Sequence, residues 1–128
     1  ILNLFRTIDV ERDFSMLFIS HNLNVVYYLC DRIAVMYKGS IVEMGTADAV
    51  YNDPMHPYTR LLLSAIPDYA SEDDGDRALL ERFRPPVEGS CAFYHRCPHA
   101  TDKCKKVPEL RNKAYRGEEE HLVRCFYL

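Results

Sequence analysis

The apolar residues of this chain change their spacing several times, and each change marks an element. Ile1, Leu4, Phe5 and Ile8 recur at three- and four-residue steps, which predicts an opening helix with one apolar face. Asp9 to Ser15 is polar and reads as a loop. Met16-Leu17-Phe18-Ile19 is then apolar without alternation, as in a strand buried on both faces of a parallel sheet. It ends at Ser20-His21. Asn22 is a cap for a second helix striped by Leu23, Val26, Tyr27 and Cys30. Arg32 to Tyr37 and Ser40 to Met44 predict two strands around a turn at Lys38-Gly39. Thr46 caps a short helix through Val50 and Tyr51.

Asn52-Asp53-Pro54-Met55-His56-Pro57 breaks this run and marks a boundary. A residue before proline is pushed toward extended backbone, so His56 reads as a turn residue rather than a ligand. Pro57 suits the first turn of a helix that carries Tyr58, Leu61, Leu62 and Ala65 on one face and stops at Pro67. Such a stripe is a docking face, and with only Arg60 beside it the helix does not read as membrane-bound. Asp68 to Asp76 is acidic linker, Ala78 to Phe83 adds a short helix, and Pro85-Pro86 leads into the final segment. The first strand wants parallel neighbours on both sides and the chain supplies too few, so the sheet reads as incomplete. With no initiator Met and a start inside a helix, the chain is expected to be a piece of a longer protein. An apolar strand without neighbours also predicts self-association.

Composition narrows the classes. The chain has 128 residues, 48% of them hydrophobic, enough for a packed core, and a net charge of -3 that argues against a nucleic-acid surface. Its apolar runs fall far short of the ~20 residues that span a bilayer. Ile1 to Arg6 lacks the charged, apolar and small zones of a signal peptide.

Cys30 sits in a helical stripe, where a cysteine acts as a small hydrophobe. Cys91, Cys97, Cys104 and Cys125 lie together in the final segment, separated by five, six and twenty residues, with His95, His99 and His121 among them. Without an export signal, clustered thiols point to metal before disulfides. The segment is poor in large aliphatics, so ligation would substitute for a core. The gaps are wide for a zinc knuckle, and a cuboidal iron–sulfur cluster accepts looser spacing. Sulfur ligands alone do not separate the two, and free thiols or disulfides stay open as well.

Three runs carry a resemblance. They are Leu17-Phe18-Ile19-Ser20-His21-Asn22-Leu23, then Asp31 through Gly45 (DRIAVMYKGSIVEMG), then Asn52 through Pro67 (NDPMHPYTRLLLSAIP). Together they resemble the ATP-binding subunits of oligopeptide, dipeptide and nickel ABC importers. The first two runs are general to ABC ATPases, and the third marks the C-terminal extension of the peptide-importer branch. The resemblance implies an α/β fold: the C-terminal part of an ABC-type nucleotide-binding domain over 1–53 (parallel strand, helix, hairpin), a peptide-importer helix and linker over 54–88, and a mostly irregular or helical cysteine-rich extension over 89–128.

It also implies roles. His21 matches the switch histidine that contacts the γ-phosphate, and an imidazole at a strand end can donate a hydrogen bond there. Asn22 stands where the family usually has Asp; it still caps a helix, while the electrostatic role of that carboxylate is lost. Cys91, Cys97, Cys104 and Cys125 match the set that the resemblance assigns to a [4Fe-4S] cluster, with zinc as the alternative. ATP and Mg²⁺ belong to the full-length parent, because this sequence holds no G-x-x-x-x-G-K-S/T loop, no Walker B acid after an apolar strand and no L-S-G-G-Q-like signature. The piece alone is therefore expected to be inactive. The implied partners are a second ATP-binding subunit, two membrane permease subunits and an external peptide-binding protein, which put the protein in the cytoplasm at the inner face of the membrane. The alternative class of function is a stand-alone metal-binding adaptor or regulatory module, zinc or iron–sulfur, docking on such a transporter.

Overall fold

The computed structural model describes residues 2–11, 14–67, 69, 83–116 and 118–128. The predicted helix at 78–83, apart from its last residue Phe83, and most of the acidic linker lie outside them.

The opening pattern forms α1 (Leu2–Glu11), which lies on α2 (Leu23–Leu29). The Tyr28 hydroxyl donates to Asn3 Oδ1 at 2.9 Å, and the Arg6 guanidinium stacks over the Tyr28 ring at 4.7 Å. Asn22 caps α2 as predicted, its Oδ1 accepting from Val25 N at 3.4 Å. Cys30 follows the last turn, half-buried against the core.

Between the two helices the expectation and the structure part. Met16 to Ile19 forms no strand, and Leu17 and Ile19 are 89% and 87% exposed. A both-face-apolar strand takes its ladder and its cover from neighbours. Among the described residues no strand pairs with this segment, although Phe18 packs half-buried against the core. The parallel element is thus absent from the observed sheet, which is antiparallel throughout.

That sheet starts from the predicted hairpin, β1 (Arg32–Tyr37) and β2 (Ser40–Thr46). Lys38 and Gly39 both take positive φ, 46° and 78°, the two-residue turn whose twist matches paired strands. β1 alternates cleanly, with Ile33, Val35 and Tyr37 inward. β2 does not. The register slips between Val35 and Met36, which face Glu43 and Ile41, so Val42 is an extra residue. This bulge turns two successive side chains, Val42 and Glu43, into the interior.

Thr46 caps α3 (Ala47–Asn52) by accepting from Ala49 N at 3.2 Å, and Val50 is driven into the core. The Tyr51 ring stacks on Tyr27 at 4.2 Å, which joins α3 to α2. The breaker cluster then leads to α4 (Pro57–Ser64). Its deepest face is Thr59 and Leu63, one turn apart, while Tyr58, Leu61 and Leu62 pack half-buried beside them and Ala65 is exposed after the last turn. The helix is covered on more sides than the single predicted stripe allowed.

The cysteine-rich end is less irregular than expected. After a 3₁₀ turn at Asp102–Lys105, two short strands, β3 (Arg111–Asn112) and β4 (Leu122–Val123), extend the hairpin sheet in the order β1-β2-β4-β3. The fold is a small α/β unit that fits the C-terminal part of an ABC ATPase. Among the described residues no helix is long and apolar enough to cross a membrane.

Candidate functional site

The cysteine segment hangs on Phe93, which is 1% exposed. Its ring meets Tyr37 edge-on at 5.2 Å, with Tyr58 at 5.5 Å and His56 at 6.0 Å, so it seats between the hairpin and α4. Backbone bonds shape the rest. Cys97 N donates to Phe93 O at 2.9 Å, and Cys91 N donates to Cys104 O at 2.9 Å, tying the first and third cysteines together. Arg84 bridges from outside: its backbone N donates to His95 O at 2.9 Å and its guanidinium to Cys97 O at 2.7 Å.

Cys125 arrives from the other direction, two residues beyond β4. Arg124 fixes that approach. Its backbone N donates to Val42 O at 2.8 Å, and its side chain donates to Ile41 O at 2.9 Å and Pro108 O at 3.2 Å.

The four thiols share one electrostatic neighbourhood. Burial pushes Cys97 up to about 12 and raises Cys91 and Cys125 as well, and charge on the other cysteines adds to each rise. Backbone amides oppose it: those of Phe93 and Tyr94 at Cys91, of His99 at Cys97, and of Tyr127 and Leu128 at Cys125. Tyr127 N lies 3.4 Å from Cys125 Sγ, and Thr101 N lies 3.5 Å from Cys104 Sγ. The Arg124 guanidinium adds positive charge near Cys91. Backbone amides thus offset part of the burial cost of ionising these sulfurs, but burial wins, and without a bound cation Cys91, Cys97 and Cys125 are held as neutral thiols. All five cysteines are free, so no disulfide competes. Among the described residues no three His, Cys, Asp or Glu groups close to metal-ligand geometry. The four cysteines thus share a neighbourhood and a donor chemistry suited to a thiolate-bound group, while among the described residues they do not converge as a ligand set.

The nearby histidines have other work. His95 Nε2 lies 3.2 Å from the Tyr37 hydroxyl and 3.3 Å from Lys38 Nζ. The His99 ring stacks on Tyr127 at 4.2 Å. His121 Nε2 donates to Glu43 Oε1 at 2.6 Å, both side chains buried.

That last pair escapes sequence reasoning. Alternation from β1 gives Glu43 no reason to face inward; the bulge at Val42 turns it in. A single carboxylate among the apolar residues of β2 was the available signal. Glu43 Oε1 also accepts from Met55 N at 2.8 Å, and Oε2 accepts from His56 N at 2.9 Å. His56 is a buried cap whose Nδ1 accepts from Tyr58 N at 3.1 Å, in keeping with its reading as a turn residue.

His21 sits apart from all of this, exposed at the bend after the unpaired segment and before Asn22.

Comparison with known proteins agrees with these contours. Residues 42–104 match the family described as the oligopeptide/dipeptide transporter, C-terminal region. The chain is 45% identical over 116 residues to the di/tripeptide transport ATP-binding protein DppF of Pseudomonas aeruginosa, covering 87% of this chain and 36% of that protein. It is 41% identical over 130 residues to the oligopeptide transport ATP-binding protein OppF of Escherichia coli, covering 98% of this chain and 38% of that protein. The OppF of Salmonella typhimurium is 39% identical over the same shares. The chain thus spans a little over a third of the length of these relatives. With the DRIAVMYKGSIVEMG hairpin, the NDPMHPY turn and the cysteine segment all inside the matched span, the chain belongs to the family of peptide ABC importer ATP-binding subunits, of which it carries the C-terminal region.

Proposed function

We propose that this chain is part of the ATP-hydrolysing subunit that powers peptide uptake by an ABC importer, and that it brings two sites. One is the switch histidine, His21. The other is a [4Fe-4S] cluster held by Cys91, Cys97, Cys104 and Cys125. The observation that carries the transport reading is the match to peptide-transport ATP-binding proteins across 87% and 98% of the chain. Its working partners are a second ATP-binding subunit and two permease subunits, which hold it at the inner face of the membrane.

The cluster reading is supported by four free thiols in one buried neighbourhood, each met by backbone donors. When bound, a cluster supplies iron–thiolate bonds that cross-link segments with little hydrophobic core. The chain's own part is to hold the sulfurs in place through Phe93 and Arg84, and to supply amide donors that offset part of the cost of ionising them in a buried site. Zinc is the competing occupant. Anaerobic purification with iron, sulfide and zinc analysis separates them. Four irons and four sulfides per chain, with visible absorption lost in Cys104→Ser, is the expected result; one zinc and no labile sulfide overturns it.

His21 is tested in the longer protein. A contact to the γ-phosphate made chiefly in the transition state lowers kcat by about a hundredfold when removed and leaves nucleotide affinity intact. His21→Ala turnover at the wild-type rate removes the assignment.

A further inference from the structure

The fourth cysteine poses a problem that the first three do not. Cys91, Cys97 and Cys104 lie on one compact stretch closed by its own backbone bonds. Cys125 lies beyond a twenty-residue excursion, residues 105–124, most of whose described side chains are exposed. The strand that returns it, β4, has only two residues. So short a strand holds its register weakly, and a slip of one residue turns every side chain to the opposite face.

Three observations converge on His121 as the pin. Its Nε2 donates to Glu43 Oε1 at 2.6 Å, with the two side chains 4% and 0% exposed. Its backbone is held on both sides, Lys113 N donating to His121 O at 2.8 Å and His121 N to Asn112 Oδ1 at 3.1 Å. β2 also passes it closely: a Cβ at Gly45 would come 3.3 Å from Glu120 O and 3.5 Å from His121 Cδ2. His121 stands one residue before β4 and Cys125 two residues after it, so the register of this strand sets where the chain delivers Cys125. Val123 is fully buried opposite Glu43. Pinning His121 therefore pins the start of the return, and the bond from Arg124 N to Val42 O carries that register on to Cys125.

Glu43 suits the task because it is acceptor-only when ionised. Three donors converge on it: His121 Nε2, Met55 N and His56 N. An amide in its place would point an N–H at one of them.

We infer that Glu43 and His121 form a buried clasp that positions Cys125 as the fourth ligand of the cysteine centre. Both are positioning residues and touch no cluster atom. The inference rests on the four-thiolate reading above, and its test separates the two. The full 128-residue chain is prepared as wild type, His121→Ala, His121→Gln, Glu43→Gln and Cys125→Ser. Gln at 121 can return a donor near the Nε2 position; Ala cannot.

Two readouts are taken. First, with no metal present, iodoacetamide labelling of each cysteine is timed by mass spectrometry. His121→Ala and Glu43→Gln are expected to speed labelling of Cys125 about tenfold or more, as befits loss of a buried charged hydrogen bond, with Cys97 unchanged and His121→Gln near wild type. Second, after anaerobic reconstitution with iron and sulfide, His121→Ala is expected to match Cys125→Ser in iron content and in an electron paramagnetic resonance signal from a three-iron cluster. His121→Gln restores the wild-type spectrum.

Wild-type labelling of Cys125 in His121→Ala, Glu43→Gln and His121→Gln alike overturns the clasp. Uniform acceleration at all five cysteines in every clasp variant overturns it too, since that reports general unfolding. If wild type takes up no iron while Cys125 labelling still depends on His121, the clasp stands and the cluster reading fails.

Discussion

Two stretches of this molecule invert the usual link between apolar content and burial. Residues 14–20 hold Phe14, Met16, Leu17, Phe18 and Ile19, and yet Leu17 and Ile19 are almost fully exposed. Residues 91–104 hold hardly any large aliphatic, and yet Phe93, Cys97 and Cys104 are buried. Apolar composition states what a segment needs, and only partners meet that need. A strand built for two neighbours stays unpaired when no strand lies beside it, even where one side chain, Phe18, rests half-buried on the core. A cysteine segment with one good aromatic anchor, seated between Tyr37 and Tyr58, closes on backbone bonds and thiols.

The comparison breaks most readily at Phe93. If this ring alone seats the cysteine segment on the hairpin, Phe93→Ala should cost about 3–5 kcal/mol, the range for truncating a buried phenylalanine. Urea unfolding of the metal-free chain measures it. A cost below about 1 kcal/mol would mean that the backbone bonds of 91–104 hold the segment without their anchor.

His56, against which Phe93 packs, gives the second test. Burial lowers its pKa from 6.5 to about 4, against a weaker opposing pull from Glu43. Above pH 6.5 the imidazole is neutral in both folded and unfolded chains. Between pH 6.5 and 4 the unfolded chain binds the proton and the folded chain does not, so stability falls as pH falls. The loss amounts to roughly 3 kcal/mol by pH 4, at about 1.4 kcal/mol per pK unit. His56→Asn can still accept from Tyr58 N, so it should lower stability at neutral pH and flatten this part of the profile. An unchanged slope between pH 4 and 6.5 would move the titration to another group.

The two capped helices refine the contrast on a smaller scale. Thr46 Oγ1 accepts from Ala49 N at 3.2 Å where it is partly buried, and Asn22 Oδ1 accepts from Val25 N at 3.4 Å in the open. Thr46→Ala should cost about 1 kcal/mol, and Asn22→Ala about half of that. Equal costs, read from the same urea curves, would show that residues near 22 are better packed than their exposure indicates.

What could be read from sequence follows the same division. The hairpin was legible because β1 alternates and Lys38-Gly39 suits a positive-φ turn, and α3 was legible from Thr46. These are local signals. The Met16–Ile19 strand was legible as a requirement and unmet in the structure, because its cover is not local. The four cysteines stood out in the sequence by their clustering and by the resemblance. The features that bring Cys125 toward the rest, the Val42 bulge and the Glu43–His121 pair, were not found, since a bulge depends on how two strands pair and leaves no period in either.

The smallest expected change in stability tests the open segment directly. Leu17 and Ile19 make little of the fold's own packing, so the double substitution Leu17→Lys, Ile19→Lys should move stability by less than about 0.5 kcal/mol. Its effect on association should be larger. Exposed apolar chain with unused backbone donors and acceptors recruits a second copy, and lysine on such an edge opposes that pairing. In sedimentation runs at several concentrations, the wild-type chain should gain mass as concentration rises, and the double lysine variant should stay near 14.9 kDa. A wild-type chain that stays monomeric throughout would show that exposure here carries no drive to pair. A variant that loses 2 kcal/mol or more would show that these side chains pack within the chain, which would erase the contrast between the two stretches.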